Sequence, residues 1–391
     1  MPILDLPSEI LDAIIDELQD DKKSLLQASL ACRAFYPRTR VYLFHAVTLY
    51  RKRCCDRLRA LFTLSPNLAP HFKSLQIDCM RPTPEHCGAL TVIESLINIS
   101  HLSLGMGDWR ALPDFVVSSL QSHSYHSLVI CADFKFRTIG EICSLVKNSP
   151  NLRIVDISTP PHCGITEECN LDHSLHSAPA PVAVRITEFL TDSAGIIQKS
   201  VLSSRPCPFS GNNIHTLAIT LPDVDATVHR LPQGLNQYLA RSHSSLKRLR
   251  VTHPLSRFRT ASSETLHISG IEQIAVAFDF IDRASHVLEW WISNLAAVNE
   301  HCAIRSFTFT LASSQRPGER HPALAWKDLW TRLTGCLTSS KMALLERVAI
   351  TFRPRPAEWD ALKTSMEGNF VGLKQLSCEV ALDAVGRAFD Y

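Results

Sequence analysis

The residues best suited to chemistry are the cysteines and histidines, 13 and 17 of them in a chain of 391. His162, Cys163, Cys169, His173 and His176 crowd into one short stretch and offer the soft and imidazole donors of a metal site. Their spacing fits none of the usual zinc patterns, in which two separated couples each enclose a few residues. The stretch therefore reads as a loop in a His-rich, Cys-rich chain, and no metal is expected. A phosphate-cradling glycine loop, a G-x-S-x-G elbow and an H-E-x-x-H helix are all missing, and there are only 14 glycines. A thiol and an imidazole distant in sequence could still meet in space, but no motif predicts it. The expectation is no enzyme and no cofactor. Arg51-Lys52-Arg53-Cys54-Cys55-Asp56-Arg57-Leu58-Arg59 carries five cations and is the run that points to nucleic acid. Cys55, Leu58, Leu61 and Phe62 share one face of a helix there, which leaves the cations on the other as a solvated face.

Composition agrees with a folded protein that works through contact. Lys plus Arg number 40 against 38 Asp plus Glu, for a net charge of +2, and 45% of residues are hydrophobic. Such a balance gives no global field for nucleic acid or an anionic membrane, so neither is an expected partner. No apolar stretch reaches the roughly 18 residues of a membrane span. Scattered cysteines and a start interrupted by Asp5 and Glu9 suggest free thiols in a reducing compartment. The expected location is intracellular, cytoplasm or nucleus. Length alone suggests two or three domains, unless the chain is a repeat array.

The elements come next. Leu6, Ile10, Leu11, Ile14, Ile15 and Leu18 make an apolar stripe two residues wide that recurs every four positions, with Glu9, Asp12, Asp16 and Glu17 opposite. This is an amphipathic helix, and Pro7 and Ser8 suit its first turn. A second helical pattern runs from Leu25 and Leu26 to Cys32, and a third contains Phe35, Tyr36, Val41, Tyr42, Leu43 and Phe44. Three short helices bury little alone, so the unit should dock on a partner or on the next domain.

Leu6-Pro7-Ser8-Glu9-Ile10-Leu11, then Ile14 and Leu18, Leu25-Leu26 with Ala31-Cys32-Arg33, and Leu43-Phe44-His45-Ala46-Val47 resemble an F-box of the fungal F-box-like type. Phe35 and Tyr36 stand where that family usually has a tryptophan, and Phe44 replaces another. The resemblance implies that Leu6, Pro7, Ile10, Leu11, Ile14, Leu25 and Leu26 face the Skp adaptor of a cullin-RING (SCF-type) ubiquitin ligase, joined through it to the cullin scaffold. It also implies that the rest of the chain captures a protein substrate. The alternative is an N-terminal cap of a repeat domain, in a binding scaffold that recruits no ligase.

Beyond residue 44 one pattern returns, apolar, two residues, apolar, one residue, apolar. It begins at Phe44, Phe72, Ile99, Tyr125 and Leu152, then at Ile214, Leu246, Ile271, Ile304, Leu345 and Leu373, and the gap has room for one degenerate unit near Val184-Arg185-Ile186. A steady period in this range means stacked units. Helix starts lie between the cores, such as Thr83-Pro84-Glu85 and the capping box of Thr138 and Glu141. A doubly wound domain would explain alternating strands and helices, but not one short pattern repeated along the chain. The units resemble leucine-rich repeats, with a loose match because the asparagine or cysteine after the last leucine is mostly absent.

The expected fold is thus α/β, a three-helix F-box-like module over residues 1–45 followed over 46–391 by a curved leucine-rich-repeat-like solenoid, parallel strands on the concave face and helices outside. Strand residues beside the apolar pairs should line that face, with Asp78 and Asp156 early and Arg248, Arg250 and Arg347 late. Those five are the candidate substrate contacts, the arginines for an acidic or phosphorylated segment; isolated arginines are otherwise solvated surface. Polar segments over 159–181, 203–213, 257–264 and 313–322 interrupt the repeat and form a second candidate surface.

Overall fold

The computed structural model describes residues 6–78, 88–131, 133–158, 186–191, 214–220, 231–253, 265–278, 284–299, 302–312, 326–353 and 359–384. The His and Cys cluster at 162–176, the start Thr83-Pro84-Glu85 and the four interrupting segments lie outside these residues. The protein is α/β. It divides into two compact units, Met1–Val184 and Arg185–Tyr391.

Unit 1 opens with three helices, α1 (Ser8–Asp16), α2 (Lys22–Ala31) and α3 (Tyr36–Leu43). They lead through Phe44 and His45 into β1 (Ala46–Leu49), followed by α4 (Lys52–Leu64) and β2 (Ser74–Ile77). Then come β3 (His101–Leu104), β5 (Ser127–Ile130) and β7 (Ile154–Ile157), each parallel to the one before. A second, two-stranded sheet pairs β4 (Gly107–Asp108) with β6 (Phe134–Lys135). The repeat pattern explains the sheet: Leu75, Leu102, Leu128 and Val155 fall in one register row, Ile77, Leu104, Ile130 and Ile157 in the next, and all eight are buried. Alternate residues face the other way, because strand side chains alternate. In α4, Cys55 and Leu58 are buried while Arg51, Arg53, Arg57 and Arg59 are exposed, so the basic run is a solvated helix face.

The helix Ile139–Val146 starts where the sequence signals it. Thr138 Oγ1 accepts from Glu141 N at 3.3 Å, and Glu141 Oε2 accepts from Thr138 N at 3.3 Å, a reciprocal capping box. Arg110 Nε donates to the same carboxylate at 2.8 Å and ties the cap to the preceding repeat. Thr138→Ala should cost about 1 kcal/mol in a urea titration.

Unit 2 continues the pattern with β8 (Glu188–Thr191), β9 (Thr216–Thr220), β10 (Arg248–His253), β11 (Gln273–Phe278), β12 (Ser306–Ala312), β13 (Arg347–Arg353) and β14 (Glu379–Ala384). Each pairs in parallel with the next. Strand β8 occupies the gap in the repeat, with Ile186, Phe189 and Thr191 all buried at the repeat spacing. The last repeat starts later than expected. Leu373 anchors a short helix, Val371–Gln375, Leu376 is exposed, and the strand begins at Glu379.

Aromatic packing fills unit 2. Phe307 and Phe309 of β12 meet at 4.7 Å between ring centroids, and Trp291 of the helix Ala284–Ala296 packs edge-on against Phe307 at 5.9 Å. His253 ends β10 in the same row as Phe278, Leu311 and Phe352, all buried. Its ring stacks on Phe278 at 5.7 Å, and its Nε2 accepts from Trp291 Nε1 at 3.0 Å. Burial pushes its pKa down to about 3.

Candidate functional site

The N-terminal module is held from within by a small core. Leu11 and Ile15 of α1, Leu25 of α2 and Phe35 are buried together, with Leu6, Leu18, Ala28, Cys32, Tyr42 and Leu43 packed around them. Asp21 caps α2 by accepting from Lys23 N and Ser24 N at 3.0 and 3.1 Å. A polar clamp ties α1 to α3: Arg38 donates from Nε and Nη2 to the two Asp16 oxygens at 2.6 and 2.8 Å, and Tyr42 Oη donates to Asp16 Oδ1 at 2.8 Å. The Arg38 guanidinium, and after it the Tyr42 hydroxyl, hold the Asp16 carboxyl below the usual carboxylate range. That bidentate geometry fixes the angle at which α1 presents its outer face.

The seven residues expected to face an adaptor therefore divide. Leu11 and Leu25 lie in the module's own core and Leu6 is half-buried against it, whereas Pro7, Ile10, Ile14 and Leu26 are exposed. Ile10 and Ile14 are 48% and 42% exposed, Leu26 is 53% exposed, and Leu30, one turn further along α2, is 81% exposed. Two helices each thus turn an i, i+4 apolar pair outward, more than the single exposed apolar residues of an ordinary surface. Leu30 was not among the sequence candidates; its spacing from Leu26 carries the signal.

On the open face of the sheets, the candidates fall into an acidic and a basic group. In unit 1 Asp156 lies on β7, and Asp78 directly follows β2, close enough to Gly105 that a Cβ there would stand 3.2 Å from Asp78 Cγ. Burial first, and then the charges of Asp156, Asp78 and Asp133, raise the pKa of Cys131, so these carboxylates converge on one thiol at the C-terminal ends of the strands. In unit 2 Arg248 and Arg250 share one face of β10, and Arg250 stands between Ala218 and Ala275. Neither has an ion-pair partner among the described residues. Arg347 is set apart from them by β11 and β12, about 14 Å at ordinary strand spacing. It faces Glu379 Oε1 at 3.7 Å.

Among the described residues no group of three or more His, Cys, Asp or Glu is placed to hold a metal ion. Burial raises the thiols of Cys55, Cys302, Cys336 and Cys378, Cys55 to about 11, which keeps them protonated and poorly nucleophilic. No helix among the described residues is long and apolar enough to cross a membrane. No protein-family model matches the chain, and no curated protein matches it.

Proposed function

We propose that the chain is the substrate-recognition subunit of an SCF-type ubiquitin ligase. Its N-terminal module, an F-box, docks on the Skp adaptor, and its repeats, an irregular leucine-rich-repeat solenoid, hold a protein substrate. The observation that carries this reading is the two outward apolar pairs, Ile10 with Ile14 and Leu26 with Leu30, on a module whose own core is already filled by Leu11, Ile15, Leu25 and Phe35. Burying such pairs contributes binding free energy at about 25 cal/mol per Å² of apolar surface, less the cost of association. The repeats support the second half. All-parallel sheets ordinarily have both faces covered. Here one face carries only half-buried or exposed side chains along β9 to β12, as a binding wall would. Arg248 and Arg250 are the substrate contacts, suited to an acidic or phosphorylated segment. Catalysis comes from a separate enzyme, and this chain supplies proximity and orientation.

A second reading, a scaffold whose helical module caps the repeats and recruits no ligase, draws on the join between module and sheet. Phe44, just after α3, meets Phe72 edge-on at 6.0 Å, ahead of β2. Pull-down of purified Skp adaptor separates the two. The ligase reading expects capture by the wild type and none by an Ile10→Asp, Ile14→Asp double variant; a wild type that captures no adaptor leaves the scaffold.

A further inference from the structure

Strand entry follows one rule in both units. A residue ahead of one strand presents its carbonyl to the first N–H groups of the next, as His45 does to Ser74, Lys73 to His101 and His126 to Ile154. One side chain per strand is thereby lined up along the N-terminal rim, about 4.8 Å from its neighbour. In unit 2 the row reads Thr187, His215, Lys247, Glu272, Arg305, Glu346, and its charges cancel in pairs. Lys247 Nζ lies 2.7 Å from Glu272, and Arg305 Nη1 lies 2.5 Å from Glu346.

The same row in unit 1 reads His45, Lys73, Ser100, His126, Arg153. The rim segments 44–46, 65–74, 96–101, 122–127 and 147–154 contain no Asp or Glu at all. They add His71, Lys147, the buried His123, and His101, the first residue of β3. His101 and His45 stand 6.3 Å apart between ring centroids, and His101 Nδ1 is 2.9 Å from Ser100 Oγ. Burial lowers the pKa of His101, and charge on His45 and His126 lowers it further, against a hydrogen bond with the Lys73 backbone that raises it. His45, His101 and His126 thus stand at the starts of β1, β3 and β5 along one rim, with Lys73 between the first two and no Asp or Glu in these described rim segments. The chain as a whole carries only +2, so this rim is a local feature.

We propose that the N-terminal rim of unit 1 binds an acidic protein segment rich in Asp and Glu, and binds it more tightly as the pH falls. Imidazole is the side chain whose charge changes between about pH 5 and 8. An anion seated on the row replaces mutual repulsion with attraction and draws protons onto it. A nucleic acid fits less well: permanent cations are few here, and the rim aromatics Phe72 and Tyr125 are buried and cannot stack on bases. This inference rests on the substrate-receptor reading only in taking the segment to belong to the substrate.

The test uses the full chain, without adaptor, and a fluorescein-labelled octaglutamate peptide followed by anisotropy at low ionic strength. A histidine whose pKa rises by one unit on binding contributes up to tenfold, and His101 starts below the ordinary imidazole value, so affinity should rise about tenfold between about pH 7.5 and about pH 5. A His45→Gln, His101→Gln, His126→Gln variant, altered at exposed positions, should lose that rise. Lys73→Glu should weaken binding at both pH values. Binding that ignores pH, that survives the triple variant, or that is exceeded by an oligothymidylate of equal charge overturns the proposal. Since no adaptor is present, failure here leaves the adaptor reading standing, and failure of adaptor capture leaves this one standing.

Discussion

Leu25→Ala should destabilise the N-terminal module by about 3 kcal/mol, while Leu26→Asp at the adjacent position should shift stability by no more than about 0.5 kcal/mol. The two leucines share a sequence environment and differ in what covers them. Leu25 has no exposed surface and packs with Leu11, Ile15 and Phe35, so truncation leaves a cavity that three short helices cannot close. Leu26 faces out, and an aspartate there meets water. For adaptor binding the order reverses. Leu26→Asp should weaken capture about a hundredfold, because a charge would be forced into an apolar contact, the scale of a central interface residue. Urea titration followed by circular dichroism reads the first effect, and titration of purified adaptor reads the second. Equal losses of stability at both positions would mean that Leu26 belongs to the fold and not to a partner.

Acid should weaken unit 2 through His253. The free imidazole titrates near 6.5, and the buried one titrates at about 3. Between those values the unfolded chain holds a proton that the folded chain does not, so stability falls as pH falls, by about 1.4 kcal/mol per unit. From pH 6.5 to about pH 4.5 the loss is about 2 kcal/mol, since the free imidazole is only half charged at the start of that interval. The hydrogen bond from Trp291 Nε1 requires an unprotonated Nε2, which is a second reason for the neutral ring. His253→Gln keeps an acceptor for Trp291 and removes the titration. Urea midpoints measured at stepped pH should fall steeply in the wild type and more gently in the variant. Parallel curves would show that His253 takes up its proton without unfolding.

Much of the architecture was legible in the sequence because parallel strands packed on one side write their register into a spacing. Leu75 and Ile77, Leu102 and Leu104, and Phe307 and Phe309 all fall on the apolar positions of the repeat, and all are buried. The two departures have physical reasons. Strand β8 showed in the sequence only as room for a degenerate unit near Ile186, because Thr191 takes the third apolar position, and a threonine there satisfies the core with its methyl group without marking a pattern. Strand β14 was placed too early because Leu373 and Leu376, three apart, satisfy a helix as well as a repeat, and the chain forms a helix there.

The outward pairs were legible only in part. Ile10 with Ile14 and Leu11 with Ile15 are both i, i+4 pairs on one stripe, a single residue out of step, so periodicity alone assigns them to the same face. Packing decides between them. The core takes Leu11 and Ile15, the Asp16 and Arg38 clamp fixes the roll of α1, and Ile10 and Ile14 are left outside. The unit 1 rim left no trace in composition, since a row of basic residues drawn from five separate turns becomes a row only once the strands pair in register.

The central claim is that the outer face of α1 and α2 meets the Skp adaptor. Site-specific photo-cross-linking tests it most directly, with a benzoylphenylalanine at Ile14, at Leu26 and, as a control on the sheet face, at Thr48. Covalent adducts with purified adaptor from Ile14 and Leu26 and none from Thr48 are the predicted result; adducts from Thr48 alone, or from no position at adaptor concentrations in the tens of micromolar, would contradict it.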